Sequence, residues 1–165
     1  MPSRDARRRP LPLVQHVVGL DVSTGLLIGH ARWLSYVSEA YMLIGRVAEA
    51  TGLAACALML AGDLKIRACE AYALRLLGEL QALREPTKVA QAQASYRQAL
   101  AAAEALGIRP LQAHCHRGLG LLYATTSQAE QAQAALSTAI AMYQTMEMIF
   151  WLLETEAALA QVEGR

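Results

Sequence analysis

The residues with the greatest chemical potential stand together at His114-Cys115-His116. Such a run offers three metal-ligating side chains, but on a helix positions i and i+2 point about 200° apart, so the ligands diverge. It also lacks the paired spacing of zinc sites. The pattern sets His116 on a core-like seam and turns His114 outward, so packing is the simpler role for the run. Gly118-Leu119-Gly120 has the outline of a phosphate loop, yet the third glycine and the preceding strand are missing, and close helix packing accounts for it. Ser35, Ser38 and Ser95 have no partner base at a motif spacing, so no nucleophile–base–acid constellation is readable. Three cysteines (Cys56, Cys69, Cys115) make no disulfide framework and suit reduced, partly buried thiols in a cytoplasm. The expectation is no catalytic residue, no metal and no cofactor.

The elements that carry these residues are helices. The chain has 165 residues, of which 55% are apolar and 18% charged, enough for one domain with a buried core and too apolar for disorder. Alanine occurs 32 times and leucine 26 times, a composition for closely packed helices rather than sheets. A net charge of +1 argues against nucleic acid as a partner. The longest uncharged apolar run, Gly52 to Gly62, is 11 residues, short of the ~20 that span a membrane. Residues 1–10, with Arg4, Arg7, Arg8 and Arg9, read as a flexible basic tail.

Apolar residues recur at three- and four-residue steps almost throughout. Breaks at Gly45-Arg46, Gly62-Asp63, Arg84-Glu85-Pro86, Gly107 to Pro110, Thr125 to Ser127 and Glu147 place helices near 11–21, 31–45, 47–61, 65–84, 88–106, 110–125, 128–144 and 148–163. Three times the chain shows a small residue, an aromatic or polar one three later, a break, then alanines seven apart. The copies are Ser38, Tyr41, Ala50, Ala57; then Gly78, Gln81, Ala92, Ala99; then Gly120, Tyr123, Ala132, Ala139. The alanines return after 42 and then 40 residues, the period of a solenoid of helix pairs. Small side chains let the two antiparallel helices of a pair cross closely. Leu34, Val37, Leu74, Leu77 and Leu119 then fill the layer between pairs.

These residues resemble the tetratricopeptide repeat, whose signature is a small residue on the first helix, an aromatic three on, and alanines on the second. The third copy, with His116, Leu119, Gly120, Tyr123, Ala132, Leu136 and Ala139, matches best; the second has Gln81 where an aromatic is usual, and the first has Ser38 for glycine. The strings HARWLSYVSEAYMLIGR, CEAYALRLLGEL and SYRQALAAAEALGIRPLQAHCHRGLGLLY are also similar to the C-terminal arrays of bacterial adenylate and guanylate cyclases that carry an AAA-type ATPase domain, and to those of maltose-regulator-type transcriptional activators. No P-loop or metal-binding carboxylate pair of those catalytic domains is present. The resemblance implies an all-α, right-handed solenoid over residues 11–165. It has a half-repeat at 11–28, repeats near 31–61, 65–106 and 110–144, and a capping helix at 148–163. Met142, Met146, Met148, Phe150 and Trp151 would pack the last repeat under that helix.

In such an array the first helix of each pair lines the concave side. Counting from the small residues, the groove receives Arg32, Ser35 and Glu39; Tyr72, Arg75 and Glu79; and His114, Arg117 and Leu121. Arginines from successive repeats suit a peptide carboxylate or an acidic segment, unless Arg75 and Glu79, at i and i+4, merely pair with each other. The function expected is a non-catalytic protein or peptide scaffold in the cytoplasm, a detached recognition portion of a signalling protein. A homodimer through the open N-terminal repeat face is a further partner. The alternatives are a small-ligand sensor, a metalloprotein around His114, and a truncated gene remnant whose incomplete first repeat marks a lost ancestor.

Overall fold

The computed structural model describes residues 27–84 and 89–164. The basic tail and most of the expected half-repeat, 11–26, lie outside the described residues, as does the Glu85-Pro86 break; residues 27 and 28 belong to the first described helix. That helix is α1 (Leu27–Leu43), followed by α2 (Val47–Asp63), α3 (Arg67–Arg84), α4 (Val89–Ala105), α5 (Arg109–Thr125), α6 (Ala129–Thr145) and α7 (Ile149–Glu163). Among the described residues there is no strand, and no helix is long and apolar enough to cross a membrane.

Among the described residues one turn is used five times. In it the residue two past the helix end is left-handed: Gly45 and Gly107 at φ +78° and +67°, but also Lys65, Ser127 and Glu147 at +55°, +58° and +54°. The next backbone N–H then reaches back into the finished helix: Arg46 donates to the Tyr41 carbonyl at 2.9 Å, Ile108 to Ala103 at 2.9 Å, and Met148 to Tyr143 at 3.0 Å. This closure satisfies carbonyls that a helix end otherwise leaves bare, and it reverses the chain within three residues. The break expected at Gly62-Asp63 therefore falls two residues later. Both stay inside α2, and Lys65 takes the left-handed conformation that Gly45 and Gly107 take in their turns.

The helices pack in chain order as an all-α stack of antiparallel pairs. Among the described residues, α1, α3, α5 and α7 also touch one another along the stack, whereas α2, α4 and α6 touch only their sequence neighbours. Helices that are closer together lie inside a curve, so the odd-numbered helices form its concave side. The core follows the stack as a series of small clusters. Leu34, Leu53, Ala57 and Ala73 make one between the first pair and α3, and Ala71, Ala99, Leu111 and Cys115 make another further on.

The alanines of the repeat, Ala50, Ala57, Ala92, Ala99, Ala132 and Ala139, are all fully buried, as close crossing requires. The small residues of the first helices meet the position four past the first alanine. A Cβ on Gly78 would lie 3.0 Å from the Tyr96 ring, and one on Gly120 would lie 2.7 Å from Leu136 Cγ. In the first pair, Ser38 fits the same place by donating its hydroxyl to the Ala50 carbonyl at 2.7 Å.

At the C-terminal end, Met142, Met146, Met148 and Trp151 pack on Ala113, Ala139 and Tyr143 as expected. Phe150 does not. With Ile149 and Leu153 it stands on the outer side of α7, whose one fully buried residue is Thr155. The outer side of α1 likewise exposes Trp33, Tyr36 and Leu43, and Ile44, just past its end, is exposed too.

Candidate functional site

The concave side brings most of the expected groove residues into one line and ties them to each other. On α1, Arg32 Nε donates to the Tyr36 hydroxyl at 2.7 Å, and its guanidinium lies 5.2 Å from the centre of the Tyr72 ring on α3. Ser35 is not in the groove. It is buried and donates to the Ala31 carbonyl one turn back, because its position faces the crossing with the rest of the stack.

Arg75, on α3, is the hub. Its Nη1 donates to Glu79 at 2.8 Å within the helix, and its Nη2 to Glu39 on α1 at 3.0 Å. The pairing at i and i+4 is therefore real, but it does not sit on a wetted face, since only 14% of the Arg75 side chain is exposed. Burial opposes the charge, while Glu79 and Glu39 hold the guanidinium pKa above its ordinary value.

One repeat further, Arg117 on α5 donates to Glu154 on α7 at 2.9 Å and lies 5.1 Å over the Trp151 ring. Neither Glu154 nor Trp151 figured in the groove read from the sequence. α7 is therefore a fourth rung of the concave wall as well as the lid that the sequence predicts.

His114 is also placed differently from the sequence expectation. It does not face out. Its ring packs 4.8 Å from Trp151 and 5.5 Å from Tyr143, and its Nδ1 shares a 2.8 Å hydrogen bond with the Tyr143 hydroxyl. The outward position becomes half-buried because α7 adds Trp151 over it. Burial, reinforced by Arg75 and Arg117, pulls its pKa down to about 4, so the imidazole is neutral at pH 7. Cys115, next in sequence, is on the opposite, core side of α5, where burial pushes its thiol up to about 12 and keeps it protonated. Among the described residues no group of three or more His, Cys, Asp or Glu converges as a metal site.

Between the second and third pairs the concave wall opens into a cavity of about 370 Å³. Its polar side is Arg75, Glu79, His114 and Arg117; its apolar side includes Leu83, Val89, Leu121, Leu122 and Trp151. Tyr96 lines it too, with its phenol kept protonated by burial and by Glu79. The Tyr96 ring fits into the cavity wall because α5 carries Gly118 there. A Cβ at that position would lie 2.4 Å from the Tyr96 ring, so Tyr96 is gripped between Gly78 and Gly118. Arg75 and Arg117 each keep a buried Nε–H with no acceptor among the described residues, an arrangement uncommon in protein interiors. No protein-family model matches the chain, and no curated protein matches it.

Proposed function

We propose that this chain is a non-catalytic interaction module, a tetratricopeptide-like array that holds a peptide segment along the concave side of its odd-numbered helices. In this proposal it works in the cytoplasm as the recognition portion of a bacterial signalling protein. The observation that carries the proposal is the cavity of about 370 Å³ set midway along that side, with exposed Leu83 and Leu121 at its rim. A concave wall with an apolar recess is the feature by which stacked helix pairs take extended partners, and a buried anchor supplies most of the affinity of such contacts.

The test is to pan a randomised peptide library against the chain and titrate the peptides that enrich. Leu121→Glu, on the cavity rim, is expected to weaken them by ~10-fold or more, and Ala134→Glu, on exposed α6, to leave them unchanged. Failure to enrich any peptide, or equal loss in both variants, would remove the proposal. A second reading is a sensor for a small molecule. It is favoured by the cavity's size, which falls within the roughly 300–1,000 Å³ of small-ligand sites. Enrichment of neutral small molecules in place of peptides would select it.

A further inference from the structure

The polar side of the cavity holds more hydrogen-bond donors than acceptors. Its lining carries two guanidiniums, Arg75 and Arg117, against one carboxylate, Glu79, while His114 is neutral, so the wall is net positive. Glu79 is already engaged by Arg75 Nη1 at 2.8 Å. The Nε–H groups of Arg75 and Arg117 have no acceptor among the described residues.

Tyr96 adds a third donor. The residue is only 4% exposed, it lines the cavity, and its hydroxyl makes no hydrogen bond among the described residues. Unlike the arginine Nε atoms, that hydroxyl is not sealed in the wall. It lies against Gly118, where a Cβ would come within 2.8 Å of it, so the glycine keeps it clear of a side chain. Burial and Glu79 hold its proton in place, and it offers an O–H. His114 supplies a fourth donor. Tyr143 is fully buried and keeps its own proton, which needs an acceptor; it donates to His114 Nδ1 at 2.8 Å and leaves the ring proton on Nε2.

Unpaired donors in a recess call for an acceptor from whatever fills it, and the positive wall favours a single anion. Trp151, Leu121 and Leu83 supply carbon in the same lining. We infer, from the cavity on which both readings above rest, that it takes a compact apolar body bearing one carboxylate. The carboxylate accepts from the Tyr96 hydroxyl beside Arg75 and Arg117, and the body rests on Trp151 and Leu121. Tyr96 is then a specificity residue. Two sources carry that chemistry: the last residue of a peptide, when its side chain is apolar, and a free aryl or branched aliphatic acid.

The test uses the full chain with Trp33→Phe, so that Trp151 in the cavity wall alone reports fluorescence. 4-Phenylbutanoate and its carboxamide are titrated beside a Gly/Ser pentapeptide ending in leucine, its terminus free or amidated. Each carboxylate that binds is expected to do so at least ~10-fold more tightly than its amide. Tyr96→Phe is expected to weaken the carboxylate by ~10-fold and, because it removes no hydrogen bond within the chain, to leave the thermal melt unchanged. Tighter binding of the free acid assigns the site to a small molecule, and tighter binding of the peptide assigns it to a chain terminus. An amide equal to its carboxylate, no loss in Tyr96→Phe, or no binding of either carboxylate up to ~10 mM overturns the inference. Library peptides that still bind at the cavity would then leave the interaction proposal standing. If the acid binds and no peptide does, the inference holds and the peptide proposal falls.

Discussion

His114 shows how one side chain registers the whole concave wall. Its folded pKa, about 4, is lower than the ordinary 6.5, because the ring is buried and faces Arg75 and Arg117. The unfolded chain therefore binds a proton between those values that the folded chain refuses. The stabilising contribution is complete above pH 6.5, is lost as pH falls toward 4, and stops changing below that. It amounts to roughly 3 kcal/mol at most, since one pKa unit is worth about 1.4 kcal/mol. His116 is shifted down as well, by burial against an opposing pull from Glu104. Urea midpoints measured from pH 7 to pH 4.5 are expected to fall in the native chain. His114→Gln, which keeps a partner for Tyr143 but cannot titrate, should remove much of that fall; an identical slope in the variant would refute the burial argument.

Between elements, the same space is filled in two different ways. At the junction of α2 and α3 the even helix carries the small residue, Ala54, and the odd helix the large one, Leu76; both are buried. One repeat on, at positions 42 residues later, the sizes are exchanged: Tyr96 on α4 and Gly118 on α5. Tyr96→Ala alone should cost ~3–5 kcal/mol through the cavity it leaves, and Gly118→Leu alone ~3 kcal/mol or more by overpacking. The pair together recreates the Ala54–Leu76 arrangement. It is expected to be more stable than either single variant in thermal melts, and additive losses would contradict the exchange. The sequence conveyed the elements well, since helix limits follow from three- and four-residue periodicity and from local turn chemistry. It conveyed pair contacts through the alanines, whose spacing is itself local. Contacts between repeats were legible in part: Leu34, Val37, Leu74, Leu77 and Leu119 do pack in the layer between pairs, but the partners of the small and polar residues there were not. Gly118 signalled only closeness and not its partner Tyr96, while the burial of His114 and the pairing of Arg117 depend on α7, 37 residues further along.

At the scale of the molecule, each helix leans only on near neighbours in the chain, so stability is expected to vary along the stack rather than to be shared evenly. The centre is best provided. α4 and α5 hold Tyr96, Leu111, Cys115, Leu119 and Leu122 in the core, whereas α7 has Thr155 as its one fully buried residue and exposes Ile149, Phe150 and Leu153. α7 should therefore open on its own, before the pairs beneath it. Hydrogen exchange followed by mass spectrometry at pH 7 is expected to show protection in α7 at least ~100-fold below that in α4 and α5, a gap of about 2.8 kcal/mol. That opening bears on the site, because α7 supplies Trp151 to the cavity and Glu154 to Arg117. A peptide bound in the cavity stabilises only the closed arrangement of α7, and should slow its exchange selectively while leaving α4 nearly unchanged. One protection level across α1 to α7, with or without peptide, would mean that the stack unfolds as a single unit and that α7 is no more separable than the rest.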